Sequence, residues 1–417
     1  MVVLPEEFRE IAAEFLSVAA QEITALSGGR LKLIWASTEN LGDWSDVRKR
    51  LSDELDRRRS TPAAGGFVDG GGSTDVGAED YFADTLGWNL RSADSVGWSP
   101  ESPGRIRIGE GKHVWPLSGS QEAIPFGRHA APGDTGANPA TTEELARRSE
   151  GLPTWGVLRG DVDDYGLRIR RAQTIEEHIQ LSVMYKQFFA GELEVVCSAP
   201  EYWQKVTVLY SGGDDFAVFG AWDALIGLAR EMERLFRRFV EANLKDLAGG
   251  EGKTITMSLA LAPAPDASLG SVFEEAGNRL EMAKSADKDC IWALGRILEW
   301  RQFAEASELK GLLMRMITDF GCAPQYLRDL CGIYRETQAK LSKRQARKMG
   351  GERPWRYHRR IRRILSAARP GRGPARGEYQ KVRTALIADL IGRSAITVKL
   401  RPAGRVALEW ARLSAEA

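Results

Sequence analysis

A chain of 417 residues is long enough for two to four domains, because a single hydrophobic core stops growing at roughly 250 to 300 residues. With 43% hydrophobic residues, 28% charged residues and a net charge of +1, the composition excludes a disordered, fibrous or uniformly basic protein. No run approaches the ~20 apolar residues of a membrane span, and the acidic start MVVLPEEFREIAAEF lacks the order of a signal peptide, so a cytoplasmic protein without membrane contact is expected.

Residues 1–60 open on a helical pattern (FREIAAEFLSVAAQEI), pass Gly28-Gly29 into a strand-like run from Leu31 to Ala36, and continue into a charged helix ending near RRRSTP. Such a fragment buries little by itself. From 61 to 150 the composition turns to Gly, Ser, Pro and Asp, with one strand-like patch at Arg105 to Ile108, and reads as an irregular insertion or linker.

Residues 151–298 alternate strand and helix signals. TWGVLRGDV is a short apolar strand, and Thr174 with Glu177 forms a capping box that opens a helix running to about Phe189. Lys205 to Tyr210 and Asp215 to Phe219 are strand runs split by Ser-Gly-Gly-Asp, a hairpin signal. A helix with Leu225, Leu228, Met232, Leu235, Phe236 and Phe239 on one face follows, then the two-faced strand TITMSLALA, a helix near Ser271 to Lys284, and CIWAL. The order β-α-β-β-α-β predicts an α+β fold of the split βαβ, ferredoxin-like kind, a sheet with helices on one face.

Residues 299–417 carry helical signals broken by GERP and RPGRGPARG, with Ile396 to Trp410 ambiguous between strand and helix. Lys340 to Lys381 holds 15 Lys or Arg against Glu352 and Glu378, so the near-zero net charge conceals a basic surface. There Arg356, Arg359, Arg360, Arg362 and Arg363, beside Trp355 and Tyr357, are candidates for contact with RNA or an RNA-bound subunit. Cys197, Cys290, Cys322 and Cys331 lie far apart and predict buried thiols, not a zinc knuckle or disulfide framework.

In the split βαβ order the end of the first strand lies beside the hairpin of the second and third. Asp161 and Asp163 should therefore converge with Asp214 and Asp215. Carboxylates that close repel one another unless a cation occupies the site. Phosphoryl transfer to a hydroxyl uses two divalent cations about 4 Å apart, and Mg²⁺ or Mn²⁺ takes such oxygen ligands. Asp161, Asp214 and Asp215 are the catalytic candidates, with Asp163 as a further metal ligand. Gly212 and Gly213 would admit a nucleotide close to the backbone. Ser211 and Ser258 are candidates for touching ribose or base, and Lys284 and Lys288 for reaching a triphosphate.

At LRGDVDDYG, VLYSGGDDFAVFGAWDAL, ITMSLALA and EMAKSADKDCIWALG the chain resembles the large, polymerase-like subunit of type III CRISPR effector complexes. The resemblance spans about residues 150–417 and implies a palm that converts ATP to cyclic oligoadenylates, with guide RNA and target RNA as partners in a ribonucleoprotein. It also implies that Asp161, Asp214 and Asp215 bind metal, with Asp163 accessory. No His-Asp dipeptide occurs and residues 1–196 contain no Cys, so neither the family's HD nuclease nor the cysteine cluster between its two palms is expected. Residues 1–60 resemble only the closing part of a first palm; the chain looks like the C-terminal portion of the usual subunit, and a separate subunit is expected to complete that half. Two other readings fit the motifs less well: a diguanylate-cyclase-like enzyme, and a catalytically silent subunit that holds guide RNA.

Overall fold

The computed structural model describes residues 5–26, 32–60, 95–98, 107–108, 113–116, 129–134, 139–341, 354–370, 376–391 and 402–416. The chain forms two compact units, one of residues 1–128 with 170–181, the other of residues 129–169 with 182–417.

In the first unit, α1 (Arg9–Leu26) and α2 (Trp44–Ser60) form where the sequence predicts helices. The strand expected before Ala36 does not form over residues 32–36. Arg58 accounts for this run: its guanidinium stacks 4.5 Å from the Trp35 ring and donates to the Trp35 carbonyl at 2.8 Å, holding the segment against α2 rather than against a strand partner. Strands β1 (Ser95–Trp98), β2 (Arg107–Ile108) and β3 (His113–Pro116) make a small antiparallel sheet, so the stretch expected to be an irregular linker contains ordered structure. Thr174 caps Glu177 as predicted, accepting from its N–H at 3.1 Å, but the Glu177 carboxylate takes the Gln173 N–H instead of closing the box.

The second unit holds the palm. In chain order, after α3 (Thr142–Arg147) come β4 (Trp155–Val162), α4 (Tyr165–Arg170), α5 (Ile175–Gln187), a π-helical turn (Phe188–Glu192), α6 (Leu193–Cys197), β5 (Val206–Ser211), β6 (Asp215–Ala221), α7 (Trp222–Asn243), β7 (Ile255–Leu261), α8 (Leu269–Ala286), β8 (Cys290–Ala293) and β9 (Arg296–Glu299), of which residues 170–181 in α4 and α5 belong to the first unit. The sheet order β5-β6-β4-β7-β8-β9 contains the ferredoxin-like arrangement in its first four strands. Only the β7–β8 pair is parallel within this sheet. The fold class is α+β, as the motif order predicts.

Helices cover both faces of the sheet, not one. On one face Phe216 stacks on Phe189, which packs with Phe236 of α7. A Cβ at Gly160 would sit 2.3 Å from the Phe216 ring, so β4 needs glycine there. On the other face Trp155, Val157, Phe219 and Ala260 pack with Ala131, Ala140, Leu145 and Val272, from the segment before β4 and from α8. The unit accordingly begins near residue 129 instead of 151. Apolar burial under Trp155, with the capping box of Thr141 and Glu144, recruits a segment whose composition reads as loop.

Beyond β9 lie α9 (Trp300–Thr318), α10 (Gln325–Leu341), α11 (Pro354–Ala367), α12 (Arg376–Ile391) and α13 (Pro402–Ala415). Residues 402–410 of the ambiguous C-terminal run are helical; Ile396 to Leu400 lies outside the described residues. Phe303 stacks on Trp410, joining α9 to α13, and the Leu152 N–H donates to the Leu413 carbonyl at 2.8 Å, tying the helices to the palm. All four cysteines are buried and free, as expected. Among the described residues no helix is long and apolar enough to cross a membrane.

Candidate active site

Strand register carries the site. Asp161 on β4 pairs directly with Asp215 on β6, and Thr256 of β7 flanks Asp161 on the other side. Asp214 occupies the turn just before β6, and its carbonyl accepts the Val162 N–H at 2.9 Å. The Gly212 N–H closes the turn on the Asp215 carbonyl at 2.6 Å. A Cβ at Gly212 would fall 2.4 Å from Asp215 Oδ1, whereas Gly213 faces the Tyr165 hydroxyl. The first glycine is thus required by the close approach of a carboxylate.

Electrostatics mark the cluster as strained by its own charge. Burial first, then Asp161 and Asp215, push the Asp214 carboxyl up to about 6. Burial also raises Asp161, and the ammonium of Lys284, at 2.6 Å from Asp161 Oδ2, works in the opposite direction. Lys284 thereby stands where the cluster demands a cation. Among the described residues no three His, Cys, Asp or Glu side chains are placed to enclose a metal ion as they stand. The donor chemistry nevertheless fits a hard divalent cation: Asp161, Asp214 and Asp215 offer only oxygen, repel one another, and already attract an ammonium.

Asp163 does not join this group. It is 3% exposed, with Oδ1 accepting from the Thr256 hydroxyl at 2.7 Å and Oδ2 from the Thr254 hydroxyl at 2.8 Å and the Asp289 N–H at 3.0 Å. Its oxygens are occupied in tying the end of β4 to the starts of β7 and β8. Ser211 pairs with Phe216 and so lies on the opposite face of the sheet from Asp161. Ser258 shares the Asp161 face but is fully buried and donates to the Ala276 carbonyl of α8 at 2.6 Å. Neither serine is placed to read a nucleotide in this arrangement. Lys288 is half exposed and paired at 2.7 Å with Asp164, outside the Asp161–Lys284 pair.

Of the predicted basic residues, Arg359, Arg362 and Arg363 line an open concavity of about 560 Å³ on α11 together with His358 and Ser366, while Ile361 and Leu365 are buried beneath. Arg360 is half-buried. The side chains of Trp355, Arg356 and Tyr357 lie outside what is described.

Sequence reasoning missed Arg159 and Tyr210. The Tyr210 hydroxyl donates to Asp215 Oδ2 at 3.0 Å, and Arg159 donates to that hydroxyl at 3.4 Å. The period of two along β4, which puts Arg159 on the Asp161 face, was the available signal.

Sheet order, hairpin and carboxylates define a polymerase-like palm. Residues 154–292 match the family model for the second palm domain of Cas10/Cmr2, and over this stretch the chain is Cas10-like. It is similar to the single-strand-specific deoxyribonuclease Cas10/Csm1 (subtype III-A) of Enterococcus italicus, 28% identical over 179 residues, which is 40% of this chain and 22% of the relative. The Mycobacterium tuberculosis protein of the same description is 30% identical over 125 residues, 25% of this chain and 16% of that protein. Among solved structures, a Csm1–Csm4 cassette in complex with cA4 superposes with a TM-score of 0.58 at 16% identity, covering 97% of this chain and 60% of the other. A cassette with one ATP gives 0.58 at 18% identity, covering 97% and 59%. At such identities these structures speak for the fold alone. The chain spans less than two thirds of the length of each of these relatives.

Proposed function

We propose that the chain joins ATP molecules 3′ to 5′ and cyclises the product as part of a type III CRISPR RNA-guided complex. The observation that carries this reading is the register pair Asp161–Asp215 with Asp214 beside it under the Gly-Gly turn. The choice of nucleotide follows the ligands of the like-folded cassettes, ATP and cA4, and the labelled nucleotides of the test below decide it. Two Mg²⁺ or Mn²⁺ ions would be held by Asp161, Asp214 and Asp215, and would supply activation of a 3′-hydroxyl and neutralisation of the leaving pyrophosphate. Lys284, now paired with Asp161, would pair with phosphate oxygens where a cation holds that carboxylate instead. Gly213 leaves its part of the turn without a side chain, so a nucleotide can approach the backbone there, whereas the space beside Gly212 is taken by Asp215 Oδ1. Lys288, half exposed, serves at the outer edge as a point charge. A second nucleotide must be held in line with the first, and a partner subunit or a second copy of the chain presents it.

The test is incubation of the purified chain with each labelled nucleoside triphosphate and Mg²⁺ or Mn²⁺, alone and within its complex with target RNA. ATP-derived cyclic products that appear with the complex are expected. Failure to join any nucleotide in every arm would overturn the reading.

The α11 face extends the proposal to nucleic acid, because its exposed arginines form a row over a buried apolar stripe and suit a phosphate backbone. Arg359→Glu, Arg362→Glu and Arg363→Glu together should weaken RNA-dependent assembly and flatten its salt dependence by about one logarithmic slope unit for each phosphate no longer neutralised. Assembly that is unchanged across salt concentrations would remove α11 from the RNA surface.

A further inference from the structure

Arg159 and Tyr210 stand beside the carboxylates, and the reaction proposed above assigns them no task. On β4, Arg159 pairs with Ala217 on one side and Ser258 on the other, which puts it on the Asp161 face. Its guanidinium lies 4.3 Å from the centre of the Phe273 ring on α8, and its Nε is buried without a hydrogen-bond partner. Room for it is made by Gly277, where a Cβ would fall 2.4 Å from Arg159 Nη1. Holding an arginine in this way costs desolvation, so the arrangement calls for a function.

Tyr210 reaches the same face only through a bulge. The β5–β6 register runs Val208↔Val218 and then Tyr210↔Ala217, with Leu209 as the extra residue. Without that insertion Leu209 would take the place opposite Ala217, and Tyr210 would turn to the Phe216 side. Bulges next to active sites re-aim side chains in this manner. The re-aimed hydroxyl donates to Asp215 Oδ2, and Arg159 donates to the hydroxyl. A donor behind the phenol polarises it and strengthens its own donation. One oxygen of Asp215 is therefore clamped while the other, Oδ1, faces Gly212.

We propose that Arg159, acting through the bulge-aimed Tyr210, is a positioning residue that orients Asp215 and so sets the divalent-cation affinity of the carboxylate cluster. The inference rests on the reading of that cluster as a metal site. Ligating carboxylates are commonly fixed by such outer hydrogen bonds, whose loss costs about 10- to 100-fold in metal affinity.

The experiment is a titration of the full chain with Mn²⁺ in the absence of nucleotide, with free Mn²⁺ read by electron paramagnetic resonance and thermal unfolding of the metal-free protein measured alongside. Tyr210→Phe and Arg159→Met should each weaken binding by about 10- to 100-fold. The double variant should bind no worse than Tyr210→Phe alone, since both act along one chain of bonds. Gly277→Ala displaces the guanidinium while favouring the helix, so it should weaken Mn²⁺ binding without lowering the unfolding midpoint. Affinities equal to wild type in Tyr210→Phe and Arg159→Met, or losses that multiply in the double variant, would overturn the inference while leaving the metal reading intact. A wild-type protein whose Mn²⁺ binding is nil, or is unaltered by Asp215→Ala, would overturn both.

Discussion

Asp214→Ala combined with Asp215→Ala is expected to reduce nucleotide joining to below roughly a hundredth of the wild-type rate, because the two ions lose most of their anionic ligands. The same variant should keep, or slightly raise, the unfolding midpoint of the metal-free protein. The sign follows from Asp214. Its carboxyl sits at about 6 in the folded chain against an ordinary 3.8, so the cost of charging it is absent below the ordinary value and complete above about 6. A shift of that size corresponds to at most about 3 kcal/mol at neutral pH, and half-exposure to water reduces this to roughly 1 kcal/mol. Removing the group recovers that amount; losing the Tyr210–Asp215 hydrogen bond takes back a similar quantity. Activity and stability should thus separate. Product formation in the double variant at near wild-type rate would contradict the assignment of these carboxylates, and a large fall in midpoint would show that they act in folding instead.

The parts of this site that sequence reasoning reached are those that local pattern controls. The apolar run of β4, alternation along β7, the Ser-Gly-Gly-Asp break and the apolar stripe of α7 locate the sheet and its hairpin, and topology then brings Asp161 to Asp215. What pattern did not reveal depends on register and on distant partners. The one-residue bulge at Leu209 decides which face Tyr210 takes, and nothing in VTVLYS announces it. Ser211 falls outside the site for the same reason. Ser258 is on the correct face but its hydroxyl is claimed by α8, a contact between residues 18 apart in sequence. The segment before β4 reads as loop because Ala131 and Ala140 are small residues in a stretch rich in Gly and Pro without apolar periodicity; the Thr141–Glu144 spacing, a capping signal, was legible and marks α3.

Asp163 separates the two kinds of acidic residue in the DVDD run, and its removal should give the largest stability effect. It follows Val162, the last residue of β4, and its main chain is already committed: its N–H donates to the Thr254 carbonyl and its carbonyl accepts from Gly252. The loop that supplies those partners is itself fixed, since Arg168 donates to the carbonyls of Glu251, Ala248 and Gly249, and the Tyr185 hydroxyl donates to that of Gly252. Onto this frame the Asp163 carboxylate adds three hydrogen bonds, from Thr254, Thr256 and Asp289. Asp163→Ala leaves the buried Thr256 hydroxyl without its acceptor, at about 1 to 3 kcal/mol, and removes the Thr254 bond, at about 1 kcal/mol, while the Asp289 N–H keeps Thr256 Oγ1 at 3.1 Å; the cost is on the order of 2 to 4 kcal/mol in all. The unfolding midpoint of the metal-free protein should drop by on the order of 10 °C. Asp161→Ala, by contrast, removes a carboxylate whose hydrogen-bond partner is the flexible end of Lys284, so its midpoint should stay within a few degrees of wild type while nucleotide joining is abolished. Asp163→Asn should fall with the alanine variant, because an amide turns an NH₂ group toward donors that need an acceptor. Thermal unfolding of the three variants without metal reads the difference directly. An Asp163→Ala protein as stable as wild type yet unable to bind Mn²⁺ would return Asp163 to the metal ligands, and would mean that its three hydrogen bonds are exchanged for a cation when one is present.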